Sequence, residues 1–180
     1  MVPKAGFEES VLPHMKAAFN LAYWIVRNRE EAEDVVQDAY LRAFRGFSKF
    51  DGSAPKPWLL TIVRNVAYRS LQNRSRDSKV IVLSEDANFD VLEASSAEHS
   101  AEVQLVAESD RQQLLAALAA MPVNYREVIV LRELEGLSYE EIASTIHAPV
   151  GTVMSRLSRA RAGLREALIR KADKKESDAV

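Results

Sequence analysis

The stretch Leu137-Ser-Tyr-Glu-Glu-Ile-Ala-Ser-Thr-Ile-His-Ala-Pro-Val-Gly-Thr-Val-Met-Ser-Arg-Leu-Ser-Arg-Ala-Arg161 constrains this chain most. It reads as two short helices joined by a tight turn, the layout of a helix-turn-helix. Ser138 followed three residues later by Glu141 predicts a capping box at the first helix. Ile142, Ala143 and Ile146 form its apolar face. Pro149 suits the start of the second helix, because its fixed φ is already helical. Val153, Leu157, Ala160 and Leu164 recur at helical spacing and point inward, which leaves Thr152, Ser155, Arg156 and Arg159 facing out. Hydroxyls and guanidinium forks are the groups that bond phosphates and base edges. The plainer alternative is a helical hairpin with a solvated basic face.

The rest of the chain also reads as helices. Phe7 to Arg27 carries Val11, Leu12, Met15, Phe19, Ala22, Tyr23 and Val26 at helical spacing. Asn28, with Glu31 three residues on, can cap a second helix whose inner face is Ala32, Val35, Val36, Ala39, Ala43 and Phe44. At about 100° per residue, Asp34, Gln37, Asp38, Leu41 and Arg45 share the opposite side. A leucine ringed by carboxylates and an amide suits docking to a basic partner; a solvated face with one stray leucine is the alternative. The loop Ser48-Lys-Phe-Asp-Gly-Ser-Ala-Pro-Lys-Pro57 is rich in breakers. From Trp58 a helix is expected with Leu59, Ile62, Val63 and Val66 inside. Its other side carries Thr61, Arg64, Asn65, Tyr68 and Gln72. Cation, amide and aromatic together suit single-stranded DNA, which needs charge neutralisation and a stacking surface. The alternative packs Tyr68 on a neighbouring helix and leaves the arginines in solvent.

Charge distribution divides the chain. The net charge is −2, yet Lys56 to Lys79 holds six cations against Asp77 alone. Ile81 to Asp110 holds only carboxylates, and the stretch from Gly151 is again rich in Arg and Lys. Two basic segments flanking an acidic one suggest two nucleic-acid contacts joined by a segment that avoids DNA. Ser84 to Ser100 shows no sustained period and reads as a linker. Val80-Ile-Val-Leu83 is expected to seat the linker's start on the first domain. Helical spacing resumes with Val103, Val106, Leu114, Leu115, Leu118 and Met121, and Pro122 ends that helix. Val128, Ile129, Leu131, Leu134 and Leu137 form the next apolar set, with Gly136 as its stop. The expected fold is all-α: two small helical domains joined by an acidic linker, 1–80, 81–105 and 106–180.

Several classes are not expected. Cysteine is absent, and His14, His99 and His147 lack ligand spacing, so no metal site is expected. His14 and His147 read as structural or solvated. Neither a phosphate-cradling glycine loop nor a nucleophile with its base appears, so no cofactor and no enzyme activity are expected. With 47% hydrophobic and 28% charged residues, no membrane span and no signal-peptide pattern, a cytoplasmic protein is expected.

The segments Glu31-Ala-Glu-Asp-Val-Val-Gln-Asp-Ala-Tyr-Leu-Arg-Ala-Phe44, Pro57-Trp-Leu-Leu-Thr-Ile-Val-Arg-Asn-Val-Ala-Tyr68, Met121-Pro-Val-Asn-Tyr-Arg-Glu-Val-Ile-Val-Leu131 and Glu135-Gly-Leu-Ser-Tyr-Glu-Glu-Ile-Ala143 follow one another in order. Together they resemble the extracytoplasmic-function group of sigma-70-type bacterial RNA polymerase sigma factors. The resemblance implies a protein with sigma domains two and four only, which binds core RNA polymerase, directs it to promoters and helps open the DNA. It implies that Asp34, Gln37, Asp38 and Leu41 dock on the clamp helices of the polymerase's largest subunit. Arg64, Asn65 and Tyr68 would meet the non-template strand of the minus-ten element, and the loop from Ser48 to Pro57 would capture a flipped base. Thr152, Ser155, Arg156 and Arg159 would read the minus-thirty-five element in the major groove, while the acidic linker would run through the RNA-exit path. Many members are held by an anti-sigma factor; no segment here identifies such a partner.

The chain departs from the family pattern at three places. Met154 stands where lysine is usual, His147 where glycine is usual, and Pro55-Lys-Pro57 precedes the tryptophan. Outside the resemblance, an autonomous regulator binding an operator as a dimer and a purely protein-binding helical adaptor are the alternatives. No long heptad or sensor domain supports the first.

Overall fold

The computed structural model describes residues 4–77 and 101–178. All their regular elements are helical. The apolar run 80–83 and the acidic stretch 84–100 lie outside the described residues.

The first helical unit holds α1 (Lys4–Val11), α2 (Met15–Val26), α3 (Arg29–Gly46) and α4 (Pro55–Asp77). The single helix expected from Phe7 to Arg27 is divided by a short turn, Leu12–His14. Pro13 causes the division: it has no N–H to donate, and its ring clashes with the preceding turn. The break rotates Met15 and Leu12 out of the core, where they are 50% and 41% exposed, contrary to their expected inward placement. Helix α2 ends at Arg27, which adopts the left-handed conformation with φ 60°. Asn28 then caps α3 as the spacing predicts, its side chain accepting from the Glu31 N–H at 2.8 Å.

Helix α3 buries Ala32, Val35, Ala39 and Ala43. Three of these are alanines, so the helix approaches α2 and α4 closely. Phe44, expected inside, stays 45% exposed and meets Phe7 edge-on at 5.3 Å between ring centroids. Helix α4 starts at Pro55, three residues before the expected Trp58. Both Pro55 and Pro57 sit in its first turn, where a missing N–H leaves no helical bond unmade. Leu59, Leu60, Val63, Val66 and Ala67 of α4 are buried with Leu21 and Ile25 of α2, while Ile62 is only half-buried.

The second unit holds α5 (Ala101–Ala120), α6 (Val123–Ile129), a π-helical turn (Val130–Leu134), α7 (Tyr139–Ile146) and α8 (Val150–Asp178). Gly136 ends the turn with φ 69°, a conformation that glycine enters without a Cβ clash. The predicted capping box is present. The Glu141 N–H donates to Ser138 Oγ at 3.1 Å, and the Ser138 N–H donates to Glu141 Oε2 at 2.7 Å. His147 closes α7 in the left-handed conformation, φ 53° and ψ 49°. Pro149 begins α8 through its carbonyl, which accepts from the Thr152 and Val153 N–H groups at 2.9 and 3.2 Å. Val153, Leu157 and Ala160 are buried, with Leu164 packed beside them.

The two units pack together. Helix α2 lies against α6 and the π turn, α4 lies against α7, and the buried apolar residues of both units form one continuous core.

Candidate nucleic-acid and polymerase interface

Three groups of residues were expected to act on the outside of the molecule, and the structure treats them differently. On α3, Asp34 and Gln37 are exposed, Asp38 is half-exposed and Leu41 is 53% exposed. Asp38 accepts from Arg42 Nε at 2.9 Å one turn on. An exposed pair at that spacing is weak, too weak to withdraw the carboxylate from a partner. Half-exposed Phe44 extends the apolar part of this face beyond Leu41, which the sequence reading missed because its spacing suits the core.

The loop before α4 is built on aromatic stacking. Phe50 stacks on Trp58 with centroids 4.6 Å apart and planes 28° apart, and Phe47 meets Trp58 at 6.3 Å. Asp51 accepts from the Ser53 N–H at 2.9 Å and hydroxyl at 2.8 Å. The backbone bond and then the hydroxyl bond hold the Asp51 carboxyl below its ordinary range. Gly52, with φ 83°, makes the reversal between them.

Arg64 and Tyr68 of α4 are not free in this conformation. Arg64 donates through Nε to Glu127 Oε2 at 2.8 Å and through Nη2 to Glu127 Oε1 at 3.3 Å. Its guanidinium lies 4.5 Å from the centroid of the Tyr68 ring. Burial, followed by the negative charge of Glu127, pushes the Tyr68 phenol up, and its hydroxyl bonds that carboxylate. Asn65, one residue along from Arg64, is exposed.

Helix α8 divides in the same way. Ser155 and Arg159 are exposed and Thr152 is half-exposed, with the Ser155 hydroxyl donating to the Thr152 carbonyl at 3.0 Å. Arg156 turns toward α6 of its own unit, with Nη1 3.6 Å from Glu127 Oε1. Met154, at 53% exposure, stands beside the exposed Ser155.

Sequence reasoning missed the residue that joins these groups. Glu127 belongs to α6, its side chain is fully buried, and it receives Arg64, Tyr68 and Arg156. Its neighbour Arg126 donates to the carbonyls of Trp24, Ala119 and Met121. Burial, then the nearby Arg27 charge, lowers the Arg126 guanidinium to about 10, which leaves it charged at neutral pH. A signal was present in the sequence. Arg126-Glu127 stands within Val123 to Leu131, a run otherwise mostly apolar, so a short helix there has no fully polar side.

A second polar contact joins the units at Glu135. Its Oε1 accepts from Asn20 Nδ2 at 3.0 Å, and its Oε2 pairs with Lys56 Nζ at 2.9 Å. His14 lies close by; burial and then Lys56 lower its imidazole, which Glu135 partly offsets. Lys56, counted in the sequence as one cation of a basic stretch, is therefore an inter-unit contact.

Two family models match these two units. Sigma-70 region 2 matches residues 11–77 and Sigma-70 region 4 matches residues 111–164. The chain is 36% identical over 177 residues to the RNA polymerase sigma-H factor of Pseudomonas aeruginosa, covering 92% of this chain and 87% of that protein. It is 40% identical over 134 residues to the ECF RNA polymerase sigma-E factor of Escherichia coli K12, covering 73% of this chain and 70% of that protein. Among solved structures it resembles the sigma factor RpoE of Bartonella quintana in complex with the anti-sigma factor NepR. The TM-score is 0.69 and the identity 32%, over 91% of this chain and 96% of that one.

A helical protein with a helix-turn-helix in its second unit and both matched regions is a sigma-70-type transcription factor. The chain belongs to the extracytoplasmic-function group of that family, whose members bind core RNA polymerase and direct it to promoters.

Proposed function

We propose that three surfaces divide the work of this sigma factor. Asp34, Gln37, Asp38 and Leu41 on α3 dock on core RNA polymerase. Arg64, Asn65 and Tyr68 on α4 meet the unstacked minus-ten strand, with the loop from Ser48 to Pro57 as a base-capture site. Thr152, Ser155, Arg156 and Arg159 at the start of α8 read the minus-thirty-five element. The corresponding domains are 1–80 and 106–180, with 81–105 between them. The observation that carries this reading is the outward α3 face, where carboxylates ring an exposed leucine. An acidic rim steers association with a basic partner, and the apolar centre supplies desolvated contact area.

The roles are those of binding and positioning, with no reaction catalysed by the chain. No helix among the described residues is long and apolar enough to cross a membrane, which supports action in the cytoplasm, where polymerase and DNA reside. An anti-sigma factor is a further proposed partner, since the similar Bartonella quintana sigma factor was solved in complex with one.

Titration of core polymerase tests the docking face. Asp34→Lys with Asp38→Lys should weaken binding several-fold or more, because like charges across an interface cost free energy. The fold should persist, since neither side chain is buried. Unchanged polymerase affinity in the folded double variant would remove α3 from the interface.

A further inference from the structure

Three of the seven side chains proposed to contact promoter DNA gather, from both units, around one buried carboxylate, Glu127. Arg64 and Tyr68 come from α4 of the first unit, and Arg156 comes from α8 of the second. A carboxylate presents two anionic oxygens to a guanidinium fork much as a phosphodiester does. Glu127 therefore occupies the donors that a DNA backbone would need. The α3 face, by contrast, lies open in the same conformation.

We infer that this is a closed state in which Glu127 substitutes for promoter phosphate, and that docking on polymerase precedes exposure of the DNA-reading residues. The inference rests on the proposed roles of α3, α4 and α8.

The latch spans the units: Glu127 and Arg64 stand 63 residues apart and belong to different units. Separation of the units strips Arg64 from the carboxylate and leaves Arg156 beside it, so opening frees the minus-ten residues first. A second contact closes the same interface independently: Glu135 receives Asn20 and Lys56 of the first unit. None of these three residues carries a proposed DNA or polymerase contact, so they open or close the interface without altering either binding face. Burial makes both contacts selective. Removing one partner of a buried, paired charge leaves the other uncompensated, which penalises the closed form far more than the open one. Free chains bind DNA only through their open fraction, so apparent affinity is set by that fraction.

Absence of cysteine allows a clean distance measurement. Cysteines at exposed Glu9 on α1 and exposed Ala162 on α8 would carry a donor and acceptor dye. The unsubstituted background should show high transfer that falls when core polymerase is added. Transfer that stays high on a chain shown by co-elution to be bound would overturn the closed-state inference, while failure to bind polymerase at all would count against the docking proposal instead.

Two variants then test the latch. Glu127→Gln should lower transfer and raise promoter affinity without polymerase several-fold, and polymerase affinity should rise with it, because polymerase opens the same interface. Asn20→Asp should do the same by setting a carboxylate against Glu135. Adding Glu135→Gln to Asn20→Asp should return both readouts part of the way, because the amide–carboxylate bond is restored with its sides exchanged while Lys56 loses its Glu135 partner. Folded variants with unchanged transfer and unchanged polymerase-free affinity would refute the latch. Should Glu127→Gln fail to fold, the Asn20 and Glu135 exchange still decides.

Discussion

Arg126 shows how much one side chain can hold. Its guanidinium donates to the carbonyl of Trp24 in α2 and to those of Ala119 and Met121 at the end of α5. Each is a bond from a charged donor, worth about 1.5–3 kcal/mol, and each carbonyl loses its partner if the donor is removed. Arg126→Met keeps most of the volume and should destabilise the protein by about 3 kcal/mol or more in denaturant titration. Arg126→Lys should recover only part of this, since one ammonium cannot reproduce the planar fork. A loss under about 1 kcal/mol for the methionine variant would mean that water satisfies those carbonyls. Neither Arg126 nor Glu127 could be assigned these partners from sequence. Helical spacing tells which side of α6 faces inward, but not which distant groups wait there. That Arg64 and Arg156 lie off the apolar faces of their helices was legible from spacing; their shared carboxylate was not, because it is set by packing between distant segments.

At the scale of the element, local chemistry predicted the structure well where caps decide. Ser138 with Glu141 and Asn28 with Glu31 form the expected caps. Ser138→Ala should cost about 1 kcal/mol and should fray the start of α7, visible as faster amide exchange there. His147 tests the opposite sign. It holds φ 53° where glycine pays no Cβ penalty, so His147→Gly should stabilise the protein by about 0.5–1 kcal/mol. Equal or lower stability would mean that the imidazole makes a compensating contact. Local reading failed where a single residue redirected a helix. Pro13 broke the first helix and turned Met15 outward, while Pro55 started α4 earlier than Trp58. Both prolines were visible, but their effect on register depends on which turn they enter. Helix α8 carries its own prediction. If Arg159 reads a base, Arg159→Ala should weaken promoter binding of the polymerase complex by about 1–3 kcal/mol and relax preference at one position. If it touches phosphate, all sequences weaken alike and the salt slope falls. Full promoter activity from Arg156→Ala with Arg159→Ala would exclude α8 from promoter reading.

At the scale of the whole molecule, charge layout and packing point the same way. The net charge is −2, and the cations proposed for DNA contact are split between two units. Neither unit alone gains much counterion release on duplex DNA. In the described conformation Arg64 and Arg156 are also engaged by Glu127. Polymerase would hold both units at promoter spacing and convert two weak contacts into one strong one by raising effective concentration. The sequence reading foresaw two helical units and their order. It did not foresee one continuous core, because the contacting faces of α2, α4, α6 and α7 carry the same apolar residues that each unit needs for itself.

Equilibrium binding to promoter duplex at fixed salt, with and without core polymerase, tests this division of labour most directly. The chain alone should bind weakly and with little sequence preference, and addition of core polymerase should produce tight, specific binding. Tight specific binding by the chain alone, at roughly 10⁻⁸ M or better, with no added effect of polymerase would contradict it.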